Sequence, residues 1–416
     1  MVKAIGYIRG FTSHIEGGFC PLEFKLHHPL MKIYSFYVPV KLIFGVGASK
    51  KLSDEIKAFK GKKVLVVTGR NVERLGLVQE VISPLEKEGY SIHVYSNVVP
   101  EPTIEIAREV AEIARQGFEI VLGIGGGSAM DMAKVASAAI TNPEPVEKFI
   151  GAQQVKNRGA PLIQIPTLSG TGSEVSPVSV LIRDGVKEAI WSYNIFPYVS
   201  LIDPALATTA PPNATASSGI DALCHAIESI MSTESNQVTE ALCLEAIRLI
   251  STYLERAYAN GDDIEARYGI ALASMLAALS FTNTMLCLGH GIAYTFSVDY
   301  NVPHGVSCGI AEPYVMEYNM PAVLDKLVSM ADAFGVDIFG LSMRDAAYEA
   351  IAAFRSLADS LEIPSCLKDL GVEKEKLESM VDSLFTKQSR FIARNPRKPS
   401  REEMLSLYER MWEGME

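Results

Sequence analysis

Between Val64 and Ile202 short β-branched apolar runs alternate with amphipathic stretches, and this alternation narrows the fold more than any other feature of the chain. Val64-Leu65-Val66-Val67 reads as a strand, the residues to about Glu88 as a helix, and Ile92-His93-Val94-Tyr95 as the next strand. Over 104–116 apolar residues recur at 104, 106, 107, 110, 111, 113 and 114, the period of a helix with one buried face. Ile120-Val121-Leu122-Gly123-Ile124 is apolar on both sides of the pleat, which suits a strand covered on both faces. Strand, helix, strand in this order predicts an α/β region with a doubly wound, mostly parallel sheet.

After Leu201-Ile202-Asp203-Pro204 the pattern changes. Pro211-Pro212 breaks the chain, and long helical patterns follow over 217–231, 239–259, 264–279 and 343–361. A chain of 416 residues exceeds one ordinary core. We therefore expect an α/β domain over 1–210 and an all-α domain over 211–416. Residues 1–30 precede the strand pattern, which begins near Ile33, and Met31 offers an internal start; they read equally as an added strand or as a start-site artefact.

The net charge of −11 leaves a nucleic-acid partner without an electrostatic footprint, so a small-molecule partner is expected. Six cysteines without CxxC spacing fit a reducing, cytoplasmic setting. Arg9, His14 and Glu16 interrupt any secretory h-region. The stretch 268–298 has no Asp, Glu, Lys or Arg, but its most apolar part, 270–279, is only half the usual spanning length. It reads as a buried core helix rather than a membrane span.

Two loops bear on ligand binding. Gly125-Gly126-Gly127-Ser128 joins the strand ending at Ile124 to a helix over about 129–140. Glycines there let the backbone approach a pyrophosphate, and the helix N-terminus supplies free N–H groups. The run matches neither GxGxxG nor a P-loop, and a plain tight turn would use the same residues. The second loop, Pro166 to Glu174, offers hydroxyls for ribose or phosphate, or for capping a following helix.

Asp221 and His225 stand one helical turn apart on a common face, a spacing suited to chelating one ion. His290 and His304 bound a Gly-rich uncharged segment that a turn would return to that face. A His3Asp set suits Fe(II) or Zn(II). Taken singly, each histidine is more often a satisfied core residue than a ligand.

Taken in order, GGGSAMDMAK (125–134), PTLSGTGSE (166–174), GIDALCHAIES (219–229) and the segment from His290 to Gly305 resemble the iron-containing, or group III, alcohol dehydrogenases, over about residues 33–410. The resemblance implies a cleft between the two domains and hydride transfer between an alcohol and NAD(P), with the metal as Lewis acid on the substrate oxygen. It implies Asp221, His225, His290 and His304 as ligands of Fe(II) or Zn(II). Gly125, Gly126, Gly127 and Ser128 would hold the pyrophosphate, with Asp131 and Lys134 in the following helix. Thr167, Ser169, Ser173 and Lys187 would line the ribose and nicotinamide.

This chain departs from that family in two places. Where many NAD-specific relatives carry an Asp at the end of the first cofactor strand, it has Gly69 followed by Arg70. Loss of that carboxylate, with a guanidinium beside it, favours NADP(H) over NAD(H). Where relatives carry a proton-relay histidine four residues after the first later ligand, it has Tyr294. Tyr294 is thus a candidate for the relay or for shaping the pocket. A homodimer or larger homo-oligomer is expected. The alternatives are a polyol or glycerol dehydrogenase, a dehydroquinate synthase-like lyase and a non-catalytic nucleotide-binding scaffold. The lyase is disfavoured because 268–298 offers no Lys or Arg for a phosphorylated substrate.

Overall fold

The apolar runs of the first half become strands of one sheet in the computed structural model, which describes residues 33–415. Both readings of residues 1–30 lie outside the described residues. The strands are β1 (Lys41–Phe44), β2 (Lys63–Gly69), β3 (Ser91–Val98), β4 (Ile120–Gly125), β5 (Gly151–Ala152), β6 (Leu162–Pro166), β7 (Val178–Arg183), β8 (Val186–Trp191) and β9 (Val199–Ile202). Six of them lie in the order β1-β9-β6-β4-β2-β3, every pairing parallel. The helices of this half are α1 (Leu52–Glu55), α2 (Arg70–Arg74), α3 (Leu77–Lys87), α4 (Ile104–Ala114) and α5 (Gly127–Thr141).

Period-two alternation sends each strand into both faces. Leu65, Val67 and Val121 pack with α4 and α5, whereas Val64, Val66, Ile120, Leu122 and Ile124 pack with α1 and α3. All of these strand residues are essentially inaccessible to water, and each such side chain contributes about 1.5–3 kcal/mol by burial. The chain leaves β2 outward to β3 and returns to place β4 on the other side of β2. The C-terminal ends of β2 and β4 thus flank a topological switch point, where open α/β sheets bind ligands. Gly69 ends β2 and Gly125 ends β4.

A second, three-stranded sheet, β5-β8-β7, stands apart from the first. Its antiparallel hairpin turns on Asp184-Gly185, both with positive φ (51° and 73°), the geometry of a tight two-residue turn. This hairpin follows the loop over 166–174. The expected capping of a helix there gives way to a single 3-10 turn, Ser173–Val175.

From Pro212 onward every described element is helical: α6 (Pro212–Met231), α7 (Gln237–Ala259), α8 (Ile264–Thr284), α9 (Leu288–Ala293), α10 (His304–Ala333), α11 (Met343–Ser360), α12 (Leu377–Lys387), α13 (Ser389–Arg394) and α14 (Arg401–Glu413), with two 3-10 turns, Lys368–Leu370 and Lys374–Lys376, between α11 and α12. Pro212 stands in the first turn of α6, where its missing N–H costs nothing. Helix α8 is long and apolar enough to cross a membrane by composition, yet 61% of its apolar window is buried against protein. It packs in one core with α6, α7 and α10 and is apolar on most sides, as an internal helix should be.

Candidate active site

The N-terminus of α5 is open. Its N-cap, Gly126, makes no side-chain cap bond, so the first-turn N–H groups point toward the cleft without a competing partner from that residue. Gly125 holds φ at +148°, and a Cβ on it would come within 2.9 Å of Ala129. A Cβ on Gly127 would meet Thr171 at 2.6 Å, so the two glycine-bearing loops touch there. Gly127, Ser128, Asp131, Thr171 and Ser173 line one wall of a cleft whose floor is formed by Asp221, His225, His290 and His304. These residues fit a dinucleotide by leaving a backbone cradle that a side chain would fill.

Asp131 and Lys134 turn inward. Asp131 accepts from Ser173 Oγ (2.5 Å) and from the Val180 N–H (2.8 Å). Lys134 is fully buried and donates to Ser173 Oγ (2.7 Å) and the Val178 carbonyl. Together they bolt α5 to the loop and to β7. Burial lowers the Lys134 ammonium to about 8 against the pull of Asp131 and Glu174, and raises the Glu174 carboxyl to about 7. Thr167 is buried and its N–H donates to the Gly125 carbonyl (3.0 Å); neither it nor Ser169 lines the cleft. Gly69 and Arg70 stand at the end of β2, where the Arg70 guanidinium donates twice to Asn97 Oδ1, at 3.2 and 3.0 Å.

On the other side, α6 brings Asp221 and His225 to one face, α9 brings His290, and His304 begins α10. The Nε2 atoms of His225, His290 and His304 lie 3.7, 3.6 and 3.5 Å from the same oxygen, Asp221 Oδ1. Donors around a cation at about 2.0–2.2 Å are separated by about 3.4 Å in tetrahedral geometry. Asp221 Oδ1 and His290 Nε2 are buried without a hydrogen-bond partner. The set therefore fits a divalent metal.

Outer contacts orient the rings. The imidazole Nδ1 of His290 bonds Glu228 Oε1, and that of His225 faces the Gly170 carbonyl at 3.2 Å. Both contacts make Nδ1 the donor and leave the Nε2 lone pair facing inward. Burial raises the Asp221 carboxyl, but the surrounding imidazoles outweigh it and hold it below the usual carboxylate range. Burial lowers the His225 imidazole despite Asp221. Both shifts favour the forms that could bind a cation.

The first turn of α10 presses on α6: a Cβ on Gly305 would sit 1.8 Å from the Ser217 carbonyl oxygen. That contact sets His304 over Asp221. Gly172, at φ +60°, lets the second loop lie flush on α8, where a Cβ would come within 2.0 Å of Ala278.

Tyr294 caps α9 beside the histidines, its ring 5.5 Å from that of His304 and 5.4 Å from that of Phe391. Burial pushes its phenol above the usual range. Lys187 Nζ lies 5.1 Å from the Tyr294 ring centroid and pairs with Glu101 at 2.8 Å; Arg390 approaches the same ring at 5.8 Å. Segment 268–298 lacks basic residues, but β8 and α13 bring Lys187 and Arg390 to it. Basic side chains from outside the segment therefore reach the cleft, contrary to the expectation drawn from 268–298 alone.

Sequence reasoning passed over Glu228, Cys308, Glu312 and Glu101. Glu228 accepts from the Cys287 N–H (2.7 Å), the His290 N–H (3.0 Å) and the His290 ring. Glu312, fully buried beside it, has its carboxyl raised well above the usual range by burial and by the Glu228 charge. Helical spacing held the signal: Glu228 is seven residues after Asp221, and Cys308 and Glu312 are four and eight after His304. Glu101 is a loop residue with no such signal.

The family model for "Iron-containing alcohol dehydrogenase" matches residues 39–204, and that for "Fe-containing alcohol dehydrogenase family, C-terminal" matches 215–412. The chain is 36% identical to long-chain-alcohol dehydrogenase 1 of Geobacillus thermodenitrificans, over 89% of this chain and 94% of that one. It is 33% identical to the 1,3-propanediol dehydrogenase of Klebsiella pneumoniae, over 91% and 98%. Among solved structures, an alcohol dehydrogenase from Oenococcus oeni superposes with a TM-score of 0.88 at 33% identity, covering 91% of this chain and 100% of that one.

Proposed function

The chain belongs to the iron-containing alcohol dehydrogenase family and is an alcohol–aldehyde oxidoreductase; from that premise we propose that it works with a metal held by Asp221, His225, His290 and His304 and with a nicotinamide dinucleotide laid along the α5 N-terminus. One observation carries the reading: three imidazole Nε2 atoms face one buried carboxylate oxygen at 3.5–3.7 Å on the floor of the cleft that α5 opens into. The chemistry supplied there by a bound divalent cation is Lewis acidity toward an alcohol or carbonyl oxygen, and by nicotinamide it is exchange of hydride.

The chain's own residues do the rest. Glu228 and the Gly170 carbonyl hold the His290 and His225 rings in register. Open N–H groups of α5, with Gly125, Gly126, Gly127 and Ser128, donate to the pyrophosphate, while Thr171 and Ser173 face the ribose side. Asp131 and Lys134 act as the brace that fixes this wall rather than as cofactor contacts. Lys187, Tyr294 and Phe281 enclose the reacting end, and Tyr294 shapes the pocket there. The partition into a cofactor domain through residue 210 and a metal domain beyond it belongs to the same proposal, as do a cytoplasmic setting and a homo-oligomeric state.

NADP(H) is the preferred cofactor in this reading. Position 69 places no carboxylate at the end of β2, and Asn97 steadies the Arg70 guanidinium beside it, where a 2′-phosphate would meet a cation instead of a repulsion. The test is metal-stripped protein reconstituted with Fe(II) or Zn(II) and assayed on primary alcohols, diols, polyols and aldehydes with both cofactors. Turnover should return with metal and be more efficient with NADP(H). Full activity in stripped protein refutes the metal assignment, and a clear NAD(H) preference refutes the role of Arg70.

A further inference from the structure

We infer that Cys308 is an additional ligand of the metal centre, making it a mixed sulfur, nitrogen and oxygen site. The inference rests on the metal reading above and concerns a residue outside the His3Asp set. Cys308 lies one helical turn after His304 on the same face of α10, and its Sγ is 3.8 and 3.9 Å from the two ring nitrogens of His304. Ligand atoms of Asp221, His290, His304 and Cys308 all fall within 4.8 Å of one another. A cation among these four atoms, with His225 Nε2 3.7 Å from the shared Asp221 Oδ1, needs modest side-chain adjustment to reach bond lengths of about 2.0–2.3 Å.

Two further observations point into the same space. Asp221 Oδ1 and His290 Nε2, both on residues at least 98% buried, lack hydrogen-bond partners. An orphaned buried carboxylate oxygen costs stability unless a cation or donor meets it. Cys308 is itself fully buried, yet its contacts with His304 are long for hydrogen bonds and leave the sulfur weakly engaged there. It also stands outside the lining of the cleft. Asp221, His225, His290 and His304 line the cleft and Cys308 does not, so a bond to sulfur leaves the cleft side open for an alcohol oxygen.

On ligation the Sγ–H bond breaks, its proton passes to solvent and the sulfur lone pair binds the cation, with no change of oxidation state. A thiolate is a softer donor than imidazole or carboxylate and favours zinc over harder cations. Cys308 thereby biases a site that His3Asp alone offers equally to Fe(II) and Zn(II).

X-ray absorption of the full-length, zinc-loaded protein reads this directly. The expected first shell holds one sulfur at about 2.3 Å beside nitrogen and oxygen at about 2.0–2.2 Å. In Cys308→Ala the sulfur should vanish while one zinc per chain remains. A shell of nitrogen and oxygen alone in the unaltered protein overturns the inference and leaves the His3Asp site standing. A sulfur that persists in Cys308→Ala also overturns it. Failure of the unaltered protein to bind one zinc per chain overturns the metal reading and this inference with it.

Discussion

The two walls of the cleft are built by opposite means. On the α/β side the cleft surface is largely backbone: glycines, a helix N-terminus and short turns, with the charged residues Asp131 and Lys134 both bonded to Ser173. On the helical side it is side chain: one carboxylate and three imidazoles, each ring held by an outer contact or by its place on a helix. Backbone surfaces tolerate side-chain exchange except where no side chain fits. A ligand cluster tolerates almost none.

The sharpest way to break this comparison is His290→Ala. It removes a donor and leaves Asp221 and Glu228 as buried charges facing a gap. With several kcal/mol of Lewis-acid stabilisation at stake, turnover should fall by at least about a thousandfold and bound metal should fall with it. Steady-state kinetics with elemental analysis checks both, and loss of activity with full metal occupancy would contradict the assignment.

Next in size is a pH effect confined to the α/β side. The Glu174 carboxyl is raised to about 7, so between its unfolded value and about 7 the folded chain binds the extra proton. This group's contribution is therefore fully present below about pH 4.5 and lost as pH rises through about 7, up to about 3 kcal/mol at 1.36 kcal/mol per pH unit. Denaturant titrations at pH 5 and pH 8 should show the Glu174→Gln variant with less of this decline than the parent chain. An identical decline in both would remove Glu174 from the account.

Glu228→Gln tests the outer contact. It keeps the shape and removes the charge that orients His290, and loss of such a contact weakens metal binding about 10–100-fold. Competition with a chromophoric chelator reads the change, and unchanged affinity would reduce Glu228 to a packing role. Smallest is Gly127→Ala, whose Cβ must displace Thr171 from 2.6 Å. The cofactor KM should rise about tenfold, the loss of roughly one good hydrogen bond, with metal content unchanged. A loss of metal instead would mean that the two walls are not separable in the way described.

The same contrast decides what the sequence made legible. Alternating runs such as Val64–Val67 and Ile120–Ile124 announce their strands because both faces of the sheet are buried, and the helices after Pro212 announce themselves by period. Family likeness pointed to Asp221, His225, His290 and His304, and the structure brings these residues together. Hidden from both were contacts made across elements. Nothing near position 131 says that its carboxylate is taken by Ser173 and Val180, and nothing near 294 says that Lys187 and Arg390 arrive there. The Asp184-Gly185 turn did carry its signal, a two-residue hairpin loop between β-rich runs. Cys308 and Glu312 carried theirs as the continuation of the His304 face.

Gly305 has one more implication. Because its missing side chain lets α10 rest on the Ser217 carbonyl, packing between α6 and α10 sets the spacing of Asp221 and His304. If the proposed metal assignment holds, such a site would differ from small metallodomains that fold only around their ion. Stripping the metal should then leave the fold standing, and loading would be an exchange reaction of a folded protein in which supply and donor softness choose the ion.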